Sequence, residues 1–118
     1  MSDVTHYITI SMCNFSAPES PPTNISLNNS IEYSIAVHWS PPRRPNGVIT
    51  HYTLYISYEN GVVDLFTTDG QSTSYIITNL LPYQHISVEV SASTRIGEGP
   101  RSSDMEIRAA QARTYIVT

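Results

Sequence analysis

Four groups of residues in this chain have the types and spacing that chemistry requires. Asn14-Phe15-Ser16, Asn24-Ile25-Ser26 and Asn28-Asn29-Ser30 are N-glycosylation sequons, each pairing an acceptor amide with a hydroxyl two residues on. His38, His51 and His85 could in principle ligate a metal, and serine, histidine and aspartate are all present for nucleophilic catalysis. Arg43, Arg44, Arg95 and Arg101, four of the six arginines, fall in two short stretches. Cys13 is the single cysteine, so a disulfide within the chain and a cysteine-based zinc site are both excluded.

Most of these groups lose their chemical reading when the elements that carry them are placed. His38 falls on a different strand from the other two histidines. His51 opens one strand and His85 precedes another that runs antiparallel to it. Zinc needs its nitrogens within about 2.1 Å, and that arrangement sets them at opposite ends. No glycine-flanked serine sits at a strand-to-helix turn, so nothing assembles a triad. Gly97-Glu98-Gly99 is not followed by the Lys-Ser/Thr pair of a phosphate loop. The sequence therefore predicts no catalytic residue, no metal and no cofactor.

The elements themselves read as β-strands. Ile25 and Leu27 alternate with Asn24, Ser26 and Asn28; Ile35, Val37 and Trp39 alternate with Ser34, Ala36 and His38, and Pro41-Pro42 ends that run. Tyr52, Leu54, Ile56 and Tyr58 alternate with His51, Thr53, Tyr55 and Ser57. Asn60-Gly61 predicts a two-residue hairpin turn with both residues at positive φ. It leads to a strand over 62–67 closed by Asp69-Gly70. Further strands are predicted over Ser74–Thr78, around Ile86, Val88, Val90 and Ala92, and at Met105 and Ile107. Seven strands, each with one apolar and one polar face, must bury those faces between two sheets. Trp39, Tyr52 and Tyr75 then point into the core.

Composition agrees. The chain of 118 residues is long enough for one core. Only 14% of residues are charged, against roughly 25% in an average globular chain. The net charge of −4 and the absence of lysine leave no basic face for nucleic acid. No stretch reaches the roughly 18 apolar residues of a membrane span, so direct insertion is not expected. The first 20 residues lack the basic and apolar blocks of a signal peptide. Residues 1–17 are expected to be a leader or the end of a preceding repeat, 18–110 the domain, and 111–118 a linker; Ala17 to Pro22 is proline-rich, which suits a semi-rigid connection.

Taken in order, Trp39 with Pro41-Pro42, Ile49 with Tyr52 and Leu54, Leu80 with Pro82, then Val88, Val90 and Ala92, then Gly97, Gly99 and Ser102 resemble a fibronectin type III domain over about Pro18 to Ala110. Leu80-Leu81-Pro82-Tyr83 and Ile96 to Pro100 are similar to the repeats of receptor-type protein tyrosine phosphatase ectodomains. The resemblance implies an all-β, seven-stranded immunoglobulin-like sandwich of two antiparallel sheets without a conserved disulfide. The first, second and fifth strands would face the fourth, third, sixth and seventh. One departure stands out: the family's usual tyrosine at the corner before the sixth strand is Ile86 here, and Tyr83 lies three residues earlier. Either Tyr83 supplies a substitute hydrogen bond or the corner is held less tightly.

The resemblance also implies a role. It is that of a non-catalytic extracellular spacer and adhesion module, in a multi-repeat, single-pass cell-surface receptor that carries any phosphatase domain elsewhere. Its partners would be neighbouring domains and an extracellular protein or anionic glycan. Arg43, Arg44, Arg95 and Arg101 are the candidate partner surface, at one pole of the sandwich. Thr53, Tyr55, Ser57, Ser87 and Glu89 would populate an exposed sheet face. Asn24 and Asn28 face outward from an edge strand, roughly 13 Å apart at about 3.3 Å per residue. At least one sequon, Asn14 included, is expected to carry a glycan that blocks edge-to-edge pairing. Two rivals stay open: an intracellular structural module of a giant cytoskeletal protein, and an accessory domain of a secreted carbohydrate-active enzyme.

Overall fold

The computed structural model describes residues 16–110. The readings made on Cys13, Asn14 and residues 111–118 lie outside them. Seven strands run in chain order: β1 (Thr23–Asn28), β2 (Ile35–Ser40), β3 (His51–Tyr58), β4 (Val63–Asp69), β5 (Ser74–Ile77), β6 (His85–Ser93) and β7 (Met105–Arg108). They form two antiparallel sheets, β1-β2-β5 and β4-β3-β6-β7, the division that the family resemblance implied.

Alternation drives the assembly. Ile35, Val37 and Trp39 of β2 are buried against Tyr52, Leu54 and Ile56 of β3 and Ile86, Val88, Val90 and Ala92 of β6, with Ile77 and Leu80 closing one end. Trp39 is 4% exposed and Tyr52 1%. Their rings meet across the two sheets at 5.3 Å between centroids, tilted by 58°, close to the edge-to-face contact that aromatic quadrupoles favour. Tyr75 is half-buried and packs on Phe66 at 5.2 Å.

Three local features differ from the sequence expectation. Gly61 has φ +87°, but Asn60 does not reach positive φ. Gly61 N–H donates to the Tyr58 carbonyl at 3.0 Å and Tyr58 N–H to the Val62 carbonyl at 2.9 Å. This is a three-residue loop, a turn followed by a left-handed glycine, rather than the two-residue turn. The physical reason is that only one of the two residues has to be left-handed when an extra residue is accommodated. Second, β4 lacks the apolar-in, polar-out pattern: its register opposite β3 pairs Ser57 with Val63 and Tyr55 with Leu65. That register turns Val63 and Leu65 outward, Leu65 at 59% exposure.

Third, the corner before β6 is pinned without a buried phenol. The Tyr83 side chain is exposed, and its backbone does the holding from φ +59°. Tyr83 N–H donates to the Ala109 carbonyl, Ala109 N–H to the Gln84 carbonyl, and Leu80 N–H to the Tyr33 carbonyl. The Gln84 side chain accepts from Leu81 N–H at 2.8 Å, and Arg108 Nη1 donates to the Tyr83 carbonyl at 3.1 Å. Tyr83 thus contributes to this corner through its main chain, beside the Gln84 and Arg108 side chains.

Candidate functional site

The outer face of the four-stranded sheet carries a connected polar cluster. Tyr55 projects from the middle of β3, with Glu89 of β6 directly opposite it. The stretch after β6 folds back over this pair. The Arg101 guanidinium lies 3.6 Å above the Tyr55 ring, inside the range of a cation–π contact, and 3.6 Å from the Glu89 carboxylate. Glu98 accepts hydrogen bonds from the Tyr55 hydroxyl and the Ser91 hydroxyl. An isolated bridge between Ser93 and Glu98 fixes the backbone of that stretch.

This cover corrects the expectation of an open face. Tyr55 is only 9% exposed, with Arg101 over its ring and Glu98 on its hydroxyl, and Thr53 is buried as well. Arg101 therefore belongs to the sheet face and not to the loop pole where the sequence placed it. Burial, with the Glu98 carboxylate next in weight, raises the Tyr55 pKa above its ordinary 10. The hydroxyls of Ser91 and Tyr55 hold the Glu98 carboxyl below its ordinary 4.5. A depressed carboxylate pKa contributes stability above the unfolded value, and that contribution is lost as pH falls from about 4.5 through the folded pKa. Glu98→Gln is expected to flatten part of this acid limb, read as a urea midpoint that declines less over that window than the wild type's. Glu98 keeps substantial solvent exposure, which screens the effect. A wild-type midpoint already flat across the window would contradict it.

The pole bearing the other arginines is built around the segment that enters β1. Ser16 N–H donates to the Asn46 carbonyl at 3.4 Å and Glu19 N–H to the Arg44 carbonyl at 3.0 Å. Asn46 Nδ2 donates to the Ala17 carbonyl at 3.2 Å, Thr94 Oγ1 to the Ser16 carbonyl at 2.9 Å, and Arg44 N–H to Ser20 Oγ at 3.0 Å. Asn46 stands at φ +55°, a left-handed position that asparagine tolerates, and this aims its amide at the segment. Pro18 is buried against Gly99, where an added Cβ would come within 2.7 Å of the Pro18 ring and carbonyl.

Ser16 and Ala17, read from sequence as leader, are thus bonded to the two loops. Arg43, Arg44 and Arg95 border this junction and are exposed. Arg44 lies 3.5 Å from Glu19 in a solvated pair. Sequence reasoning missed Asn46 and Thr94 as clamp residues. Asn46 precedes a glycine, but nothing local says which carbonyl its amide will find.

The remaining candidates are scattered. His38 sits on β2, in the other sheet from His51 and His85. His51 pairs with Ser93 at one end of β3–β6, and His85 lies at the other end, 2.8 Å from Glu106. Asn24 and Asn28 are exposed on β1, the edge of its sheet. A cleft of about 500 Å³ opens where β4 and β5 leave the two sheets unjoined, lined by Tyr58, Asp64, Phe66 and Tyr75 among others. Burial, followed by Asp64, pushes the Tyr58 hydroxyl up to about 12.

Two antiparallel sheets of three and four strands packed around a single indole define an immunoglobulin-like β-sandwich. The model of the fibronectin type III domain matches residues 20–108, and the chain belongs to that family, whose fold is non-catalytic. The phosphatidylinositol phosphatase PTPRQ of Rattus norvegicus is 40% identical over 90 residues, covering 76% of this chain and 4% of that protein. The cell adhesion molecule Dscam2 of Drosophila melanogaster is 38% identical over 89 residues, covering 72% of this chain and 4% of that protein. The chain spans less than a tenth of these relatives' length. Among solved structures, the solution structure of a human contactin 1 fibronectin type III domain superposes with a TM-score of 0.74 at 24% identity, covering 84% of each chain. The FN5 domain of Drosophila Lar superposes with a TM-score of 0.65 at 23% identity, over 81% of this chain and all of that one. The likeness to receptor-phosphatase repeats read from the corner and the glycine loop holds in this comparison.

Proposed function

We propose that this domain is an extracellular spacer and adhesion module of a multi-repeat cell-surface protein, setting the direction in which the chain enters it. One observation carries the reading: the entering segment, 16–20, is hydrogen-bonded to both loops of the pole and its proline is buried over Gly99. A proline-rich connection that ended at β1 would swivel. One fastened at five points over five residues transmits the orientation of whatever precedes it. Relatedness to a cell adhesion molecule and to receptor-type phosphatases supports placement at the cell surface.

Arg43, Arg44 and Arg95 stand around that junction, which suits an acidic surface of a neighbouring domain or an anionic glycan. Such a contact would weaken with salt.

Backbone ¹⁵N relaxation tests the clamp directly. Residues 17–20, prolines aside, are expected to show order parameters near those of the strands, about 0.85. Asn46→Ala removes the amide bond to Ala17 and is expected to drop them toward about 0.6 while β2, β3 and β6 stay unchanged. A wild-type segment that already moves independently of the sandwich would overturn the spacer reading.

A further inference from the structure

Of the two sequons on β1, the geometry distinguishes one. Asn24 lies within the strand, at φ +52°, where the pairing with β2 shifts register between Thr23 and Ser26. The nitrogen that would carry a sugar, Nδ2, already faces Ser40 Oγ at 3.4 Å. Ile25 of that sequon packs on the core and Ser26 is paired to His38. The whole acceptor triplet is committed to the sheet.

Asn28 differs on each count. It is the last residue of β1, and Asn29, Ser30 and Ile31 continue beyond the strand, all exposed. Its Oδ1 accepts the N–H of Ser30 at 2.7 Å, an Asx turn that brings the side chain toward the hydroxyl-bearing residue of its own sequon. That bond occupies the oxygen and leaves Nδ2 toward solvent. The neighbouring Asn29 does the structural work, donating from Nδ2 to the Arg108 carbonyl at 3.0 Å and so fixing the turn against β7. Across the sheet, Asn28 is opposite Ala36 and Ala36 opposite Ile76. The three share one row on the outer face, and Ile76 is 50% exposed on it. Two strand spacings, roughly 10 Å, separate Asn28 from Ile76, a span that the first sugars of an N-glycan cover.

We infer that Asn28 is an N-glycosylation site whose glycan lies over Ala36 and Ile76 on the outer face of the three-stranded sheet. The inference rests on the extracellular reading above, because the modification belongs to the secretory pathway. The donor is a lipid-pyrophosphate-linked oligosaccharide. Asn28 Nδ2 attacks the anomeric carbon: the N–C bond forms and the C–O bond to pyrophosphate breaks. The pyrophosphate leaves with the electron pair, and the amide gives up one proton.

The test uses the full chain secreted from animal cells behind a supplied signal sequence, so that entry into the pathway is given and the spacer reading is not at stake. Peptide mass spectrometry after enzymatic deglycosylation in heavy-oxygen water reads each sequon separately. The peptide holding Asn28 is expected to be labelled. Ser30→Ala is expected to lose one glycan from the intact mass while Ser26→Ala keeps it. A folded, secreted protein with Asn28 unlabelled, or with a glycan at Asn24 in place of Asn28, overturns the inference. The wild-type peptide decides this without any variant having to fold.

Discussion

Trp39→Ala is expected to lower the melting midpoint of the domain by roughly ten degrees or more. The indole is 4% exposed and spans the space between the sheets, touching Tyr52 at 5.3 Å. Truncation removes its transfer free energy and opens a cavity that two hydrogen-bonded sheets cannot close, about 3–5 kcal/mol. Domains of this size hold about 5–15 kcal/mol in total, so the loss consumes between roughly a fifth and all of it. Thermal melting followed by circular dichroism should show a midpoint lower by roughly 12–40 °C. A second variant separates packing from polarity. Trp39 Nε1 is buried with no acceptor among the described residues, and an unpaired buried donor costs about 1–3 kcal/mol. Trp39→Phe gives up area but also removes that donor. It is therefore expected to cost about 1–2 kcal/mol, well under the alanine value. If both variants melted together, or near wild type, the indole would not be the element joining the layers.

The elements that sequence made legible are those where one face decides everything. In β2 and β6 every second residue is apolar and every one of those is buried, because a shift of one residue would turn the whole set to water. The turn residues Pro41-Pro42 and Asp69-Gly70 marked ends for equally local reasons. What sequence did not give came from partners far along the chain. Val63 and Leu65 look like core residues, but their facing is dictated by the β3 register, not by their own hydrophobicity. Tyr55 looks like a free surface aromatic until a loop 43 residues away in sequence lays Glu98 on its hydroxyl.

The candidate sites divide in the same way. That Asn28 is polar and outward follows from period-two alternation within six residues of β1. That it differs from Asn24 depends on a bulge, a Ser40 hydroxyl and an Ile76 two strands away, none of which a single sequon can announce. The arginines were countable, but their division between a junction and a sheet face was not. Arg101 leaves the pole because an aromatic face and a carboxylate, Tyr55 and Glu89, offer it a better position, and that pairing exists only once β3 and β6 are in register.

Gly70→Ala is the other substitution expected to act strongly, through a different mechanism. Gly70 follows β4 and passes the chain entering β3; a Cβ built there would lie 1.9 Å from the Ile49 carbonyl oxygen and 2.8 Å from its carbon. Both obstacles are backbone, so no side-chain rotation relieves the clash. Neither segment can yield cheaply. Thr50 N–H and Oγ1 both bond the Ser93 carbonyl, at 2.8 and 3.2 Å, which ties the β3 side to β6. On the other side Asp69 Oδ1 accepts from Gln71 N–H, Ser72 N–H and Ser72 Oγ, and those same bonds depress its pKa. Overpacking of about 1–3 kcal/mol, with loss of a Thr50 bond worth about 1 kcal/mol, gives an expected cost of roughly 2–4 kcal/mol. Gly61→Ala is the informative comparison: nothing lies within 4 Å of its added Cβ, but φ is +87°. Its cost is conformational alone, about 1–2 kcal/mol. Urea midpoints for the two variants should therefore rank Gly70→Ala as the more damaging. The reverse order would mean that the β3 entry gives way freely, and the Thr50–Ser93 tie would then not be what holds it.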